Sequence, residues 1–266
     1  GVKKMSNKTD VAWNEEKAEQ ILKDLRQAEQ VLVGLGAGFP HAAGVDTLPI
    51  DKRLHEKEYW PFWMPYIETQ RLNKNVPALY TELAQLLAGK DYFIIDSNPD
   101  GFLQHSGLEL SRIYKAQGDM ARVQCSKNCR NHTWIGKQHF QQLQKDAAYL
   151  PKCPHCGAPL VMNVYTGKNF CAEPYQEKNE AYFRFINGSA HNRLIILELG
   201  VGYTMPELIR FPFEQIVMNH KHAKLIRVNT LHPLCVEENR QKAICVGADL
   251  AQVIPDLLAR QQKGAQ

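Results

Sequence analysis

The sequence predicts an α/β fold in which helices cover both faces of a parallel, doubly wound β-sheet. Short apolar segments, which are predicted to be buried strands, alternate along the chain with segments whose apolar residues recur at helical spacing. Most of the short segments end in glycine or small polar residues, as strands do at the edge where open α/β sheets bind ligands. The composition is that of a globular protein, with 44% hydrophobic and 23% charged residues.

The individual elements follow from the local pattern. Apolar residues at helical intervals predict a first helix over 10–30, with Asp10 as its capping residue. Pro77 and Gly89 are placed to begin and end a second helix over 77–87. The remaining predicted elements are strands over 30–34, 92–95, 111–114, 193–199, 225–228 and 243–246, and a last helix over 250–260.

The segment over 47–76 is rich in aromatic residues, among them Trp60 and Trp63. It is predicted to be a helical insertion whose rings form a small core of their own. Stacking of some of these rings directly on a ligand is the alternative.

The first predicted strand runs into a glycine-rich loop, Gly36-Ala37-Gly38, and Gly44 follows shortly after. Glycine tolerates positive φ and has no Cβ, so the amide N–H groups of such a loop can approach the phosphates of a nucleotide. Close packing of a helix on the sheet is an alternative explanation for the same glycines. The loop thus predicts a diphosphate site, and the other strand ends must decide between the two explanations.

Four of the seven cysteines form two close pairs. Cys125 and Cys129 enclose three residues, Cys153 and Cys156 enclose two, and 23 residues separate the pairs. Four thiolates complete a tetrahedral shell, so this spacing predicts one structural zinc with no open position for catalytic water. His132 and His155 are the alternative ligands, and unligated thiols are the alternative to a metal.

The charge and hydropathy patterns exclude several classes of function. A net charge of +4 without basic clusters does not indicate a nucleic-acid partner. No apolar run approaches the roughly 20 residues that span a membrane. An odd number of cysteines without a secretion signal predicts a protein of the reducing cytoplasm.

Four features of the sequence occur together, in this order, in one known family. They are the loop Gly36-Ala37-Gly38, the strand end Asn98-Pro99-Asp100, the four-cysteine insert, and the later strand ends Gly200-Val201-Gly202 and Asn229. Over about residues 15–260 the chain resembles the sirtuins, which are NAD-dependent deacylases and ADP-ribosyltransferases.

The chain departs from the usual sirtuin pattern where deacylases carry a catalytic histidine. Gln117-Gly118 stands in place of the family's His-Gly, and the serine and Phe-Arg elements expected after Gly38 are absent. Deacylases use that histidine as a base on the nicotinamide ribose, whereas glutamine cannot accept a proton at any relevant pH. The combination resembles the macrodomain-linked, or class M, sirtuins, whose activity is protein mono-ADP-ribosylation.

The resemblance implies a Rossmann-like NAD-binding domain over 10–120 and 161–262, which includes the insertion over 47–76, and a zinc-binding module over 121–160. The residues it implies to be catalytic are Asn98, Asp100 and Gln117. The residues it implies to contact NAD are Gly36, Ala37, Gly38, Gly44, Ser97, Asn98, Asp100, Gln117, Gly200, Val201, Gly202, Asn229, Gly247 and Ala248.

The implied activity is transfer of one ADP-ribose from NAD to a protein, with little or no deacylation. The implied acceptor is a lipoylated carrier protein like the glycine-cleavage H protein, and the implied functional partner is a macrodomain ADP-ribosyl hydrolase. Two alternatives stay open: a deacylase or delipoylase that uses Asp100 or His105 as its base, and a catalytically inactive sensor of NAD or ADP-ribose. From the residues alone, Asn98 and Asp100 could equally be turn formers.

Overall fold

The computed structural model describes residues 10–45, 75–146, 148–167 and 169–264 of the chain. Its strands are β1 (Gln30–Leu35), β2 (Tyr92–Asp96), β3 (Ile113–Lys115), β4 (Gly118–Cys125), β5 (Thr133–Ile135), β6 (Leu160–Val164), β7 (Leu194–Leu199), β8 (Ala223–Val228) and β9 (Ala243–Val246). Six of them form one parallel sheet in the order β3-β2-β1-β7-β8-β9. The order reverses direction between β1 and β7, which confirms the predicted doubly wound sheet.

Helices cover both faces of this sheet. The helices of the described residues are α1 (Glu15–Gln27), α2 (Gly38–Ala42), α3 (Ala78–Leu86), α4 (Lys137–Lys145), α5 (Gln176–Gly188), α6 (Arg210–Asn219) and α7 (Leu250–Gly264). The first three and α7 share one hydrophobic core with the sheet, and α5 and α6 share the core on the opposite face. None of the helices described is long and apolar enough to cross a membrane.

Alternation along β1 shows how one short strand serves both cores. Val31, Val33 and Leu35 belong to the core with α1, α3 and α7, whereas Leu32 belongs to the core with α5 and α6. Because both faces are covered, the strand is a continuous apolar run rather than an alternating one. That is why the sequence alone identified it as a buried strand.

The first helix begins later than predicted. The predicted cap, Asp10, instead accepts a hydrogen bond from the amide of Ala12 in the preceding turn (3.0 Å). The true cap is Asn14, whose Oδ1 accepts the amide N–H of Lys17 (2.9 Å). The other predicted strands and helices are present, with ends that shift by a few residues. The predicted insertion over 47–76 lies, up to residue 74, outside the described residues.

A smaller antiparallel sheet, in the order β5-β4-β6, was not predicted. Its strands β4 and β6 begin and end at Gly118 and Val164, slightly beyond the predicted module bounds of 121 and 160. The sheet packs with α4 into its own core around Phe140 and Leu143. The chain passes from the end of β3 almost directly into β4, so both sheets meet at the carboxyl edge of the parallel strands.

Charged side chains are buried at the centre of the main sheet. Glu198 on β7 and Arg227 on β8 are register neighbours with no solvent exposure, and two hydrogen bonds of 2.7 and 2.8 Å join them. Arg227 also contacts Glu214 (2.7 Å), and Arg210 lies 3.5 Å from Glu198. Buried charges are tolerated only when they are paired and hydrogen-bonded, and this network meets that requirement.

Replacing Arg227 with methionine should therefore destabilise the protein strongly, because Glu198 and Glu214 keep their charges and lose their main partner. We expect a loss of about 3–5 kcal/mol in the free energy of unfolding, measured by urea denaturation at pH 7. The matched control is Arg184→Met, since Arg184 pairs with Glu180 at 3.7 Å with both side chains exposed. That control should cost about 0–1 kcal/mol. Equal losses in the two variants would contradict the interpretation.

Candidate active site

A cavity of about 410 Å³ opens at the carboxyl ends of β1, β2 and β7, between the two sheets. This is the point where the strand order reverses and where open α/β sheets bind their ligands. Five chain segments converge on it, each starting at a strand end. The residues that line it are Gly36, Ala37, Pro40, Ser97, Asn98, Pro99, Asp100, Gln117, Met120, Tyr165, Thr166, Gly167, Val201, Gly202, Thr204, Met205, Leu208 and Ile209.

The cavity brings together the three residues implied to be catalytic, Asn98, Asp100 and Gln117, although they come from two different loops. The other implied residues that line it are Gly36, Ala37, Ser97, Val201 and Gly202. The implied residues that do not line it are Gly38, Gly44, Gly200, Asn229, Gly247 and Ala248.

The glycines of the first loop pack closely against a neighbouring loop, which is the alternative explanation that the sequence left open. A Cβ on Gly36 would lie 2.4 Å from the carbonyl oxygen of Gly200, and a Cβ on Gly38 would lie 2.8 Å from the Cα of Gly200. The amides of Gly36 and Gly38 already donate to the carbonyls of Leu199 (3.1 Å) and Gly200 (2.9 Å). Of this loop, the N–H of Ala37 has no protein acceptor among the described residues, so it is the amide that can donate to a ligand in the cavity.

Gly44 has a local structural explanation. It follows α2 with a φ of +77° in the left-handed region, where helices commonly end in glycine. Its amide donates to the carbonyl of His41 (3.0 Å), and a Cβ there would meet none of the described residues within 4 Å. The positive φ is a sufficient reason for glycine at this position.

Asn98 is held tightly at the floor of the cavity. Its side-chain amide donates to the carbonyl of Gly36 (3.1 Å) and to Oδ1 of Asp96 (2.9 Å), and its backbone amide donates to the same Oδ1 (2.9 Å). Both partners of the side-chain nitrogen can only accept, which fixes the orientation of the carboxamide. Among the described residues none donates to Asn98 Oδ1, so this oxygen is the atom that can accept a hydrogen bond from a ligand.

The carboxylate of Asp100 is oriented by two donors. Oδ1 accepts from the amide of Phe102 (3.1 Å), and the hydroxyl of Tyr80 lies 3.3 and 3.4 Å from the two oxygens. The side chain is 3% exposed, so its charge lies within the wall of the cavity rather than in bulk solvent. A fixed carboxylate at this position can stabilise positive charge that develops on a bound substrate.

Sequence reasoning missed two charged residues beneath this loop, Asp96 and Lys115. The Lys115 ammonium donates to the carbonyls of Asn98 (2.9 Å) and Asp100, and it lies 3.5 Å from Oδ2 of Asp96. Burial raises the pKa of Asp96 to about 6, the nearby charge of Asp100 adds to the rise, and Lys115 opposes it. The signal was present, since each residue is the last of a buried strand at the ligand-binding edge.

Gln117 lies between the two sheets. Its carbonyl accepts the amide of Tyr165 (2.9 Å), and its side-chain nitrogen contacts the sulfur of Met205 across the cavity. In the described parts of the chain, 10–45, 75–146, 148–167 and 169–264, no histidine lines the cavity. His105, the alternative base, is exposed in the short 3-10 helix Leu103–His105 and is not part of the lining.

Asn229 organises loops next to the cavity. Its side-chain nitrogen donates to the carbonyl of Val201 (2.9 Å), and its Oδ1 accepts the amides of Leu231 and His232 (both 2.9 Å). Gly247 donates its amide to the carbonyl of Val11 (2.7 Å), just before α7 begins. These residues therefore shape the strand ends beside the cavity.

The four predicted zinc ligands come together at one end of the small sheet. The sulfur atoms of Cys125, Cys129, Cys153 and Cys156 lie within 4.8 Å of one another, with Cys125–Cys156 at 3.5 Å and Cys129–Cys153 at 3.6 Å. Tetrahedral zinc with bonds of about 2.3 Å requires sulfur atoms roughly 3.8 Å apart. The alternative ligands, His132 and His155, are not in the cluster and pack around Trp134. The site fits one structural zinc held by cysteines alone.

Comparisons with known proteins give sequence relatives at low identity, and no family model matches the chain. A protein ADP-ribosyltransferase of Staphylococcus aureus is 23% identical over 273 residues, which cover 91% of this chain and 87% of the relative. A Fusarium oxysporum protein, a probable bifunctional ADP-ribose hydrolase/ADP-ribosyltransferase, is 28% identical over 88% of this chain. The match covers 46% of that fungal protein, so this chain corresponds to less than half of its length.

Solved structures of Sir2 homologues share the fold. One, determined as a complex with NAD, superposes with a TM-score of 0.69 at 16% identity and covers 97% of this chain and 98% of its own. Another, a variant in complex with ADP-ribose, gives a TM-score of 0.66 at 16% identity over 93% of this chain and 97% of its own. The superposition includes nearly all of both chains, so the likeness extends beyond a shared parallel sheet.

Replacing Cys153 with serine should abolish zinc binding, because a hydroxyl is a poor replacement for a thiolate in a four-sulfur shell. We expect wild-type protein purified without chelator to contain about one zinc per chain by mass spectrometry of the metal, and the variant to contain almost none. Cys171→Ser is the matched control, since Cys171 is a buried cysteine outside the cluster. Folded wild-type protein without zinc would contradict the assignment.

Fold and sequence point the same way. The chain shares the overall fold of the Sir2 homologues over nearly its whole length, and the sequence relatives extend over most of the chain. The molecule is therefore a sirtuin-fold protein that is related, over nine-tenths of its length, to a protein ADP-ribosyltransferase.

Proposed function

We propose that the protein is an NAD-dependent protein mono-ADP-ribosyltransferase. It breaks the bond between the nicotinamide nitrogen and C1′ of the adjoining ribose, releases nicotinamide, and joins C1′ to a nucleophilic side chain of an acceptor protein. The observation that carries the proposal is a cavity where Asn98, Asp100 and Gln117 meet and where none of the lining residues that the structure describes is a histidine. The names of both sequence relatives support the same activity.

The chemistry of bond cleavage suits the charges of this cavity. Departure of nicotinamide leaves positive, oxocarbenium-like character at C1′, which a fixed carboxylate stabilises best where water is excluded. Asp100 supplies the carboxylate, and its two donors keep it from turning away. Apolar lining residues, among them Met120, Leu208 and Ile209, limit the access of water. Asp100 can also accept the proton of the incoming nucleophile.

The remaining lining residues would hold the rest of NAD. The free N–H of Ala37 faces the phosphates, and Ser97, Val201 and Gly202 contribute the adjoining walls. We propose that Gly36, Gly38, Gly200 and Asn229 act mainly by shaping these loops, through the contacts of their backbones and of the Asn229 side chain. Gly44, Gly247 and Ala248 are proposed to shape the ends of α2 and α7 in the same way.

Gln117 separates this chemistry from deacylation. After nicotinamide leaves, a deacylase needs a base to activate a ribose hydroxyl, and a general base contributes about 10²–10⁴-fold to such a step. A glutamine can orient that hydroxyl by hydrogen bonding but cannot take its proton. Cleavage of NAD and attack by a protein nucleophile do not need this base, so transfer is retained and deacylation is weak.

The acceptor we propose is a lipoylated carrier protein like the glycine-cleavage H protein, with a macrodomain ADP-ribosyl hydrolase as functional partner. Support for the acceptor is the resemblance of the sequence to the macrodomain-linked sirtuins. Support for the hydrolase is the fungal relative, whose name joins ADP-ribose hydrolysis and ADP-ribosyl transfer in one protein. None of the seven cysteines, all of which lie in the described residues, forms a disulfide, which is compatible with the proposed location in a reducing cytoplasm.

Replacing Asn98 with alanine should abolish transfer while the fold stays intact. We expect nicotinamide release and the mass gain of a lipoylated carrier protein to fall roughly 10²–10³-fold. The readouts are chromatography of nicotinamide and intact-mass spectrometry of the carrier. Asn192→Ala is the control, since Asn192 donates to Gln30 (2.9 Å) at the opposite edge of the sheet.

The same assay separates the proposal from its alternatives. Loss of the lipoyl group without ADP-ribose on the carrier would show a delipoylase. Binding of NAD without any release of nicotinamide would show a sensor. Full transfer activity in Asn98→Ala would remove the main residue of the proposed site.

Replacing Gln117 with histidine tests why deacylation is weak. The variant should gain NAD-dependent deacylation of an acylated peptide, since it restores a base at the position where deacylases have one. We expect a gain of about tenfold or more over wild type, measured as free peptide by mass spectrometry. Gln117→Asn is the control, because asparagine cannot accept a proton either. An unchanged rate would show that the absent Phe-Arg element also limits deacylation.

A further inference from the structure

Asn98 is fixed by a carboxylate that the proposed reaction does not use. Oδ1 of Asp96 accepts two hydrogen bonds from Asn98, one from its backbone amide and one from its side chain, each 2.9 Å long. Asp96 itself is 2% exposed and does not line the cavity. Among the described residues, Oδ1 of Asp96 accepts hydrogen bonds from Asn98 alone. Because it holds the amide nitrogen of the Asn98 side chain, it leaves the carboxamide oxygen to point toward a ligand.

Lys115 completes the arrangement from below. Its ammonium contacts three groups of the same loop: the carbonyls of Asn98 and Asp100, and Oδ2 of Asp96 at 3.5 Å. Those contacts hold the backbone on both sides of Pro99. The charge of Lys115 also offsets the burial of the Asp96 carboxylate, which would otherwise favour the neutral acid.

We propose that Asp96 and Lys115 are positioning residues of the active site, which together hold Asn98 with its carboxamide oxygen toward the cavity. In that orientation Asn98 accepts a hydrogen bond from an N–H or O–H group of the bound dinucleotide. The inference rests on the proposed function for its catalytic consequence, whereas the orientation of Asn98 can be tested without any reaction.

The arrangement predicts opposite effects of pH on activity and on stability. Burial raises the pKa of Asp96 to about 6, and the charged groups that face it are Lys115 and Asp100. Protonation as the pH falls through about 6 removes the stronger, charge-assisted acceptor of Asn98, so activity falls. The native state binds this proton more readily than the unfolded state does. This group therefore adds stability below pH 6 and loses that contribution as the pH rises through 6.

The direct test is nuclear magnetic resonance of protein labelled with ¹⁵N at asparagine. The side-chain signal of Asn98 is identified by its absence from Asn98→Ala. In wild type we expect it to shift with pH, with a midpoint near the pKa of Asp96, about 6. In Asp96→Asn the shift should be absent, because an amide does not titrate there and has one oxygen to share between Lys115 and Asn98. A pH-independent signal in wild type, or the same titration in the variant, overturns the proposal.

Kinetics test the catalytic consequence. Asp96→Asn and Lys115→Met should lower kcat for nicotinamide release on the order of 100-fold, because they misplace Asn98 and leave the contacts to NAD in place. KM for NAD should change by about threefold or less. Lys115→Arg keeps the charge and should recover part of the lost kcat. The matched control is Lys242→Met, since Lys242 also donates to two carbonyls, those of Val217 (2.7 Å) and His220 (3.0 Å), at the opposite edge of the sheet.

The two measurements distinguish the failure of each proposal. If wild type releases no nicotinamide, the proposed function is wrong, and the resonance of Asn98 still decides the positioning role. If wild type is active and Asp96→Asn keeps full kcat and the acid limb of the pH profile, the positioning role is wrong. Thermal unfolding measured between pH 5 and pH 8 shows whether the protein unfolds where activity falls. The Asp96 contribution to stability should rise over the same pH range in which activity falls, so unfolding would not explain the acid limb.

Discussion

The active site depends on the contact between two strand-end loops whose backbones touch. After β1 and β7 the chain turns at Gly36 and Gly200. A Cβ on Gly36 would lie 2.4 Å from the carbonyl oxygen of Gly200, and a Cβ on Gly200 would lie 2.8 Å from the Cα of Gly38. Two amide-to-carbonyl bonds, from Gly36 to Leu199 and from Gly38 to Gly200, fix this contact. The cavity opens beside it, and the carbonyl of Gly36 in turn accepts from Asn98. The positions of the two glycine loops and of the loop that carries Asn98 therefore follow from a single close approach of backbone.

Two clusters of charged side chains are buried in this molecule. The pair of Glu198 and Arg227 crosses the middle of the main sheet, and Asp96 and Lys115 lie at its edge below the catalytic loop. The two clusters have different consequences. In the first, several strong hydrogen bonds satisfy every charged group, so the cluster acts as a rigid part of the core. In the second, the Lys115 ammonium pairs with the carboxylate of Asp96 and with the backbone carbonyl of Asp100, and burial, with the nearby charge of Asp100, raises the pKa of Asp96 to about 6.

Much of the fold could be predicted, because buried parallel strands such as β1 and β7 are continuous apolar runs. The zinc site could also be predicted, since thiolate pairs at this spacing have one common use. The glycine loop shows the limit. Its sequence indicated phosphate contact, whereas Gly36 and Gly38 are also required by the neighbouring loop at Gly200, which is distant in sequence but lies within hydrogen-bond distance of them in space (3.1 and 2.9 Å). Lys115 and Asp96 were missed for the same reason, because a single charge at a strand end becomes meaningful only when its partner strand is known.

Gln117 lies in the short crossing that joins β3 of the main sheet to β4 of the small sheet. The strand that leaves Gln117 ends at Cys125, one of the four cysteines of the metal cluster. A change in the packing of the small sheet would therefore reach the catalytic cavity through eight residues of continuous strand. Loss of the metal that these four cysteines fit is therefore expected to disturb the position of Gln117, although none of the four lines the cavity.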